Sequence, residues 1–230
     1  MSIGGGDLRR QRRFSLILNN AMTGDFQAAI SSPTGAYAEG LKFFRGVGML
    51  NDALTKLAND LDRNGIEYSG IGAVALNQHG YRRFTEDIGI VPGRDGLKAF
   101  REKLVGLGYR PAFNGAGKKF RTTDENVPIE IIMSGEYPGD GLPKPVQFAE
   151  PETASEIIDG IKTIKLERLI ELKLASGMTA ADRLKDLADV QELIKLKSLD
   201  DAFADRLNTF VREKYLELYK AVAAAKKDID

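Results

Sequence analysis

The 230 residues set Lys+Arg 33 against Asp+Glu 33, leaving no formal net charge, and 43% are hydrophobic against 29% charged. This is the composition of an ordinary globular protein with one large or two small cores, and zero net charge argues against gripping nucleic acid or anionic lipid by bulk electrostatics. There is no Cys and one His, which excludes disulfides, thiolate nucleophiles and any cysteine-ligated or multi-histidine metal site.

In chain order, Arg9, Arg10, Arg12 and Arg13 precede the apolar run 14–18. That run is shorter than the ~7–15 residues of a signal h-region, and no stretch approaches the ~20 apolar residues that span a bilayer. The reading is a cytoplasmic protein with no membrane partner and a loose or partner-binding arm, with a mitochondrial-type targeting arm as the alternative. Residues 1–45 mix basic, apolar and Gly/Ser/Pro-rich pieces, so a partly ordered extension with one short helix is expected. Leu50, Leu54, Leu57 and Leu61 then fall at helical spacing, with Asn51 as a cap and Asn64-Gly65 as a stop.

Strands are predicted at 66–71, 86–91, 119–122 and 128–133, with short helices over 73–78 and 96–107. Residues 134–145 hold three Gly and three Pro and read as loop. Asp159-Gly160 marks a two-residue hairpin turn. Helices follow at 166–176, 180–197 and 199–225, the second and third started by capping boxes at Thr179/Asp182 and Ser198/Asp201. This divides the chain into an N-terminal extension (1–45), an α/β core (46–150) and a hairpin plus helical unit (151–230).

Three places can carry chemistry. The run Gly115-Ala116-Gly117-Lys118-Lys119 lacks the glycine spacing and the Ser/Thr of a phosphate-binding P-loop, so it reads as a basic hairpin turn. Gly70-x-Gly72-x-x-Ala75 matches a dinucleotide fingerprint, but a parallel Rossmann strand is apolar on both faces and Ile66-Glu67-Tyr68-Ser69 is mixed. The third is a pair of acids. Strand alternation puts Asp87 and Gly89 on the face opposite Ile88 and Ile90, and Glu130 sits between Ile129 and Ile131. An acid in an apolar strand is costly unless paired, exposed or bound to a cation, and two carboxylates on neighbouring strands suit Mg²⁺, which prefers oxygen ligands. The plainer alternative is two solvent-facing strand acids.

The run Ile71-Gly72-Ala73-Val74-Ala75-Leu76, then His79-Gly80, then Arg83-Phe84-Thr85-Glu86-Asp87-Ile88, resembles the minimal nucleotidyltransferases of the DNA-polymerase-β-like superfamily. Within it, the chain is similar to the branch that includes abortive-infection toxins of bacterial toxin–antitoxin pairs. A downstream acid in Pro128-Ile129-Glu130-Ile131-Ile132, a Lys-bearing helix around Lys173, and Arg183-Leu184-Lys185-Asp186-Leu187-Ala188-Asp189-Val190 extend the likeness over about residues 50–195.

The resemblance implies an α+β fold: a nucleotidyltransferase-like mixed sheet flanked by helices, followed by a helical C-terminal unit. It implies Mg²⁺ held by Asp87 and Glu130, and a nucleoside triphosphate as substrate or ligand beside Gly72, Ala73, His79, Arg83, Thr85, Lys173, Lys185, Asp186 and Asp189. The implied reaction is nucleotidyl transfer to an RNA or protein hydroxyl, with an antitoxin-like protein as partner.

Two departures stand out. The second turn glycine of the family is Ala73 here, and the second acid of its Asp-x-Asp pair is Gly89. Losing one of three acidic ligands weakens a Mg²⁺ site. The chain is then a nucleotidyltransferase with an impaired metal site, one that recruits another acid such as Asp140, or a degraded member that binds a nucleotide or a partner. A dinucleotide-binding protein using Gly70, Gly72 and Ala75 is the reading from another class.

Overall fold

A computed structural model describes residues 24–227 of the chain. The arginine-rich arm and the apolar run 14–18 lie outside the described residues.

Where the sequence predicts one short helix in an extension, its described residues hold two, α1 (Phe26–Ile30) and α2 (Pro33–Phe44). Both have ordinary starts. Asp25 accepts a hydrogen bond from the Ala28 N–H at 3.1 Å, and Ser32 accepts one from the Gly35 N–H at 3.1 Å with Pro33 in the first helical position. Ser32-Pro33, part of the Gly/Ser/Pro-rich stretch, is a helix N-terminus. Next comes α3 (Met49–Arg63), whose Leu50, Leu54, Leu57 and Leu61 are all buried. Its N-cap is Gly48, while Asn51 donates to the Phe43 and Val47 carbonyls at 3.1 Å and so ties α3 back to the end of α2.

The remaining elements build one sheet and its helical cover. In chain order they are β1 (Tyr68–Ile71), α4 (Gly72–Gln78), β2 (Ile88–Pro92), α5 (Gly96–Lys103), β3 (Tyr109–Pro111), β4 (Lys119–Thr122), β5 (Pro128–Ile131), α6 (Pro151–Ala154), β6 (Ser155–Ile158) and β7 (Ile161–Ile164). Three helices close the described chain: α7 (Leu166–Thr179), α8 (Leu184–Lys197) and α9 (Thr209–Lys227). The strands form a seven-stranded mixed sheet in the order β3-β4-β5-β2-β1-β7-β6. The architecture is α+β, as expected.

Because β7 pairs with β1 in parallel, the expected division at residue 150 runs through a single sheet. The hairpin does turn at Asp159-Gly160, with φ of 49° and 79°, as a primed two-residue turn requires. The strand β3, three residues long, carries no alternation that a sequence reading can detect.

Two expectations need correction. The strands β1 and β2 that flank α4 are antiparallel, so the parallel strand–helix–strand crossover of a dinucleotide-binding fold is not formed there. The capping boxes also fail. Thr179 instead donates to the Ala175 carbonyl inside α7, and Ser198 ends α8 in the left-handed region at φ 50°. The N-cap of the following 3-10 turn is Asp200, which accepts from the Phe203 N–H at 3.0 Å.

Strand alternation sorts the core. Ile88, Ile90, Ile129 and Ile131 face one way, onto α3 and Phe100 of α5. Ile71, Val91 and Ile164 face the other, onto α4, α7, α8 and α9. Each fully buried Leu or Ile contributes roughly 1.5–3 kcal/mol. Gly89 and Glu130 share the second face, and a cleft opens there between the sheet and the α7–α8 pair.

Candidate functional site

The cleft has a volume of about 520 Å³. Its floor is the middle of the sheet, where β1, β2, β5 and β4 lie side by side; α7 and the start of α8 form one wall, and the loop after β5 the other.

On the floor, β1 runs into α4 through Gly72, whose φ of +62° is open to glycine and strained for other residues. Asn77 fixes the segment that follows. Its amide donates to the Ala73 carbonyl at 2.7 Å and the Arg83 carbonyl at 2.6 Å, and its oxygen accepts from the Arg83 N–H at 3.0 Å. That clamp sets the stretch bearing Arg83, Thr85 and Asp87 against α4. Asp87 is exposed at the rim and accepts from the Thr85 hydroxyl at 2.7 Å.

The sheet register places Gly89 directly beside Glu130, and Glu130 directly beside Lys119. The ammonium of Lys119 stands 3.5 Å from the Glu130 carboxylate. Gly89 is not a simple vacancy. A Cβ built there would lie 3.2 Å from Cγ1 of Ile71, tighter than an ordinary contact, so the neighbouring isoleucine leans over the position.

The wall is built differently. Lys173 is buried on α7 and bridges Asp186 at 2.8 Å and Asp189 at 2.7 Å, both on α8. Ser176 donates to Asp186 at 2.7 Å, and Arg83 reaches across to Asp189 at 2.6 Å. Burial raises the Asp186 carboxyl pKa, but attraction to Lys173 and the hydrogen bonds from Lys173 and Ser176 outweigh it, and the group sits below the ordinary carboxylate range. Residues 186 and 189 lie three apart on one helix face, so both can reach the one lysine on the facing helix. Helix α7 is buried throughout residues 169–177, so a charge there has to be paired.

The loop after β5 is pinned at its base, where the Gly135 N–H donates to the Phe148 carbonyl at 2.7 Å and the Phe148 N–H to the Glu136 carbonyl at 2.9 Å. It presents Glu136, Tyr137 and Phe148 to the cleft. Asp140, the acid considered as a replacement ligand, does not line the cleft. It accepts from Lys144 at 2.5 Å and from the Leu142 N–H at 3.0 Å, and the Lys144 bond holds its carboxyl below the usual range. Glu136 lines the cleft instead, paired with Lys118.

The structure therefore brings Gly72, Ala73, Arg83, Thr85, Asp87, Glu130, Lys173, Lys185 and Asp186 to one cleft. Asp189 stands behind it, attached through Lys173 and Arg83. His79 lies elsewhere: it is buried, its Nε2 meets the Ile164 carbonyl at 2.8 Å, and burial lowers its pKa although that hydrogen bond opposes the shift.

Sequence reasoning missed Lys118, Lys119, Arg183 and Glu136 as lining residues. The two lysines read as a basic turn, and no local signal in the sequence places Lys119 beside Glu130 on the neighbouring strand. Six basic side chains (Arg83, Lys118, Lys119, Lys173, Arg183, Lys185) line the cleft against four acidic ones (Asp87, Glu130, Glu136, Asp186). Such a surface favours an anionic ligand.

A divalent metal is what the family resemblance implies, and the donor set does not fit it. Gly89 contributes no oxygen between Asp87 and Glu130, Glu130 already faces an ammonium, and Glu136 is paired with Lys118. Among the described residues, no group of three or more His, Cys, Asp or Glu side chains is placed to hold a metal ion.

No protein-family model matches the chain, and no curated protein matches it. Solved structures that resemble it include the antibiotic-resistance factor ANT(2″)-Ia, at 12% identity and TM-score 0.45 over 76% of this chain and 95% of that one. An antigenic nucleotidyltransferase-like protein from Paracoccidioides brasiliensis gives 20% identity and TM-score 0.46 over 63% of this chain and 75% of that one. JHP933 from Helicobacter pylori gives 19% and 0.43 over 77% and 90%. Likenesses this distant establish neither family nor activity, which have to be argued from the residues themselves.

Proposed function

We propose that this protein binds a nucleoside triphosphate in the cleft between the sheet and α7–α8, as a nucleotidyltransferase-type protein whose phosphate site is built from side-chain cations. The observation that carries this reading is the convergence of the Gly72 turn with Lys118, Lys119, Arg183 and Lys185 in one cleft. Lysine and arginine are the ordinary phosphate ligands of proteins, and here Arg183 and Lys185 are exposed enough to turn toward an incoming anion. Tyr137 and Phe148, at the opposite wall, offer flat apolar surface for a base.

Calorimetric titration of the full chain with each nucleoside triphosphate tests it. Native protein is expected to bind at least one of them, and Lys185→Glu, a change at an exposed position, to weaken binding about tenfold or more by losing a charge-assisted hydrogen bond. Failure of the native protein to bind any nucleoside triphosphate, with or without Mg²⁺, overturns the reading.

A second reading, favoured by the presence of Asp87 and Glu130 in the same cleft, is Mg²⁺-dependent nucleotidyl transfer to an RNA or protein hydroxyl. It predicts transfer of α-label to one of those acceptors by the native protein and none by Asp87→Asn. A toxin-like role and an antitoxin-like partner rest on the motif resemblance, and their test is growth arrest on expression.

A further inference from the structure

Starting from the proposed nucleotide site, we infer that Lys119 takes the place of the divalent cation, so that the cleft accepts the free nucleoside triphosphate anion rather than its Mg²⁺ chelate. Three strands put this row together. In the register, Gly89 of β2, Glu130 of β5 and Lys119 of β4 are consecutive neighbours across the sheet, all on the cleft face. A carboxylate at Gly89 would complete an acidic pocket around Glu130. Instead that flank has no donor, and the Ile71 side chain crowds the position where a side chain would start, 3.2 Å from a Cβ built there. The other flank carries a fixed positive charge 3.5 Å from the Glu130 carboxylate.

The pair makes little sense as a stability device. Lys119 is 62% exposed and Glu130 44%, and open ion pairs contribute about 0–1 kcal/mol. Its geometry makes sense as an anchored cation. Glu130 steers the ammonium over the floor, and at 3.5 Å the contact is an attraction rather than a hydrogen bond, so all three N–H groups stay available to phosphate oxygens. Among the described residues, Lys119 has no other ion-pair partner. A cleft with more basic than acidic side chains also suits the more highly charged free anion. The chelate arrives with its charge partly cancelled by the metal, and that metal would then meet the Lys119 ammonium.

The test is calorimetric titration of the full chain with ATP, in EDTA and again in excess Mg²⁺, for native protein, Lys119→Gln and Glu130→Gln. Both positions lie at the surface, and far-ultraviolet circular dichroism confirms that the variants are folded. Native protein is expected to bind in EDTA at least as tightly as in Mg²⁺. Lys119→Gln is expected to weaken binding in EDTA about tenfold, the loss of one charge-assisted hydrogen bond. Glu130→Gln is expected to weaken it by less than Lys119→Gln does, because the ammonium loses its anchor while an acid facing the phosphates is also removed. Binding that requires Mg²⁺ and is lost in Glu130→Gln overturns the inference while sparing the nucleotide site. Unchanged affinity of Lys119→Gln in EDTA overturns it as well. No binding by native protein under either condition removes both the inference and the reading beneath it.

Discussion

The α7–α8 wall and the sheet floor face each other across one cleft, yet they treat charge in opposite ways. In the wall, Lys173, Asp186 and Asp189 are buried, and each has partners at hydrogen-bond distance. On the floor, Glu130 and Lys119 are open to water and held at 3.5 Å. A buried charge whose partner is removed has no solvent to turn to, whereas an exposed one is rehydrated at once. The wall is therefore structural machinery that holds two helices in register, and the floor is where a ligand can exchange contacts without unfolding anything. The residues of the family-like lysine and Arg-x-Lys-Asp motifs divide along the same line: Lys173, Asp186 and Asp189 are used up inside the protein, while Arg183 and Lys185 remain outside.

The sharpest way to break that contrast is Lys173→Met. It leaves two carboxylates buried with only Arg83 and Ser176 as partners, and is expected to cost about 3–5 kcal/mol in urea unfolding. The same wall predicts acid sensitivity. Because the folded Asp186 pKa lies below its ordinary 3.8, its contribution is fully present above that value and is lost as pH falls through the lower folded pKa. Unfolding free energies measured between pH 5 and pH 2 should show this loss in native protein, with a smaller one in Asp186→Asn.

Gly89→Asp probes the floor. Crowding against Ile71 is expected to cost about 1–3 kcal/mol in thermal unfolding, toward the low end because the contact is with a movable side chain. The added acid beside Glu130 is expected to make nucleotide affinity rise with Mg²⁺, a rise not expected of the native protein. If Mg²⁺ leaves the variant unaffected, Gly89 is not what excludes the metal.

His79 belongs to neither region and serves as a control. Its folded pKa is lowered, so the unfolded chain takes up protons first and stability declines as pH falls below the unfolded value near 6.5. The loss cannot exceed about 1.4 kcal/mol per pH unit, and His79→Gln, which can still donate to the Ile164 carbonyl, is expected to remove it. The smallest effect expected is on the stability of Lys119→Gln, within about 1 kcal/mol of native. A larger loss would mean that the floor pair is structural after all.

Much of this was legible in the sequence, for identifiable reasons. The leucines of α3 repeat with helical period, and the alternation around Ile88, Ile90, Ile129 and Ile131 placed Asp87, Gly89 and Glu130 on the face opposite those isoleucines. Motif order then brought forward residues as far apart as Gly72 and Asp186, which line one cleft. Pairing across space was not legible. Nothing local to Lys119 says that β4 lies antiparallel to β5 with Glu130 opposite it, or that Lys173 is consumed by Asp186 and Asp189. His79 at the end of α4 looked like a site residue because its neighbours in sequence are, and only the packing of β7 shows that its ring bonds a carbonyl. Helices α1 and α2 were obscured by small and turn-forming residues that serve as their caps.

The most direct measurement is a titration of the isotope-labelled full chain with ATP in EDTA, followed by amide resonances and the Lys119 side-chain signals. The account predicts shifts concentrated at Gly72, Gly89, Lys119 and Lys185, with His79 unmoved. No shifts, or shifts confined to residues away from the cleft, would contradict it.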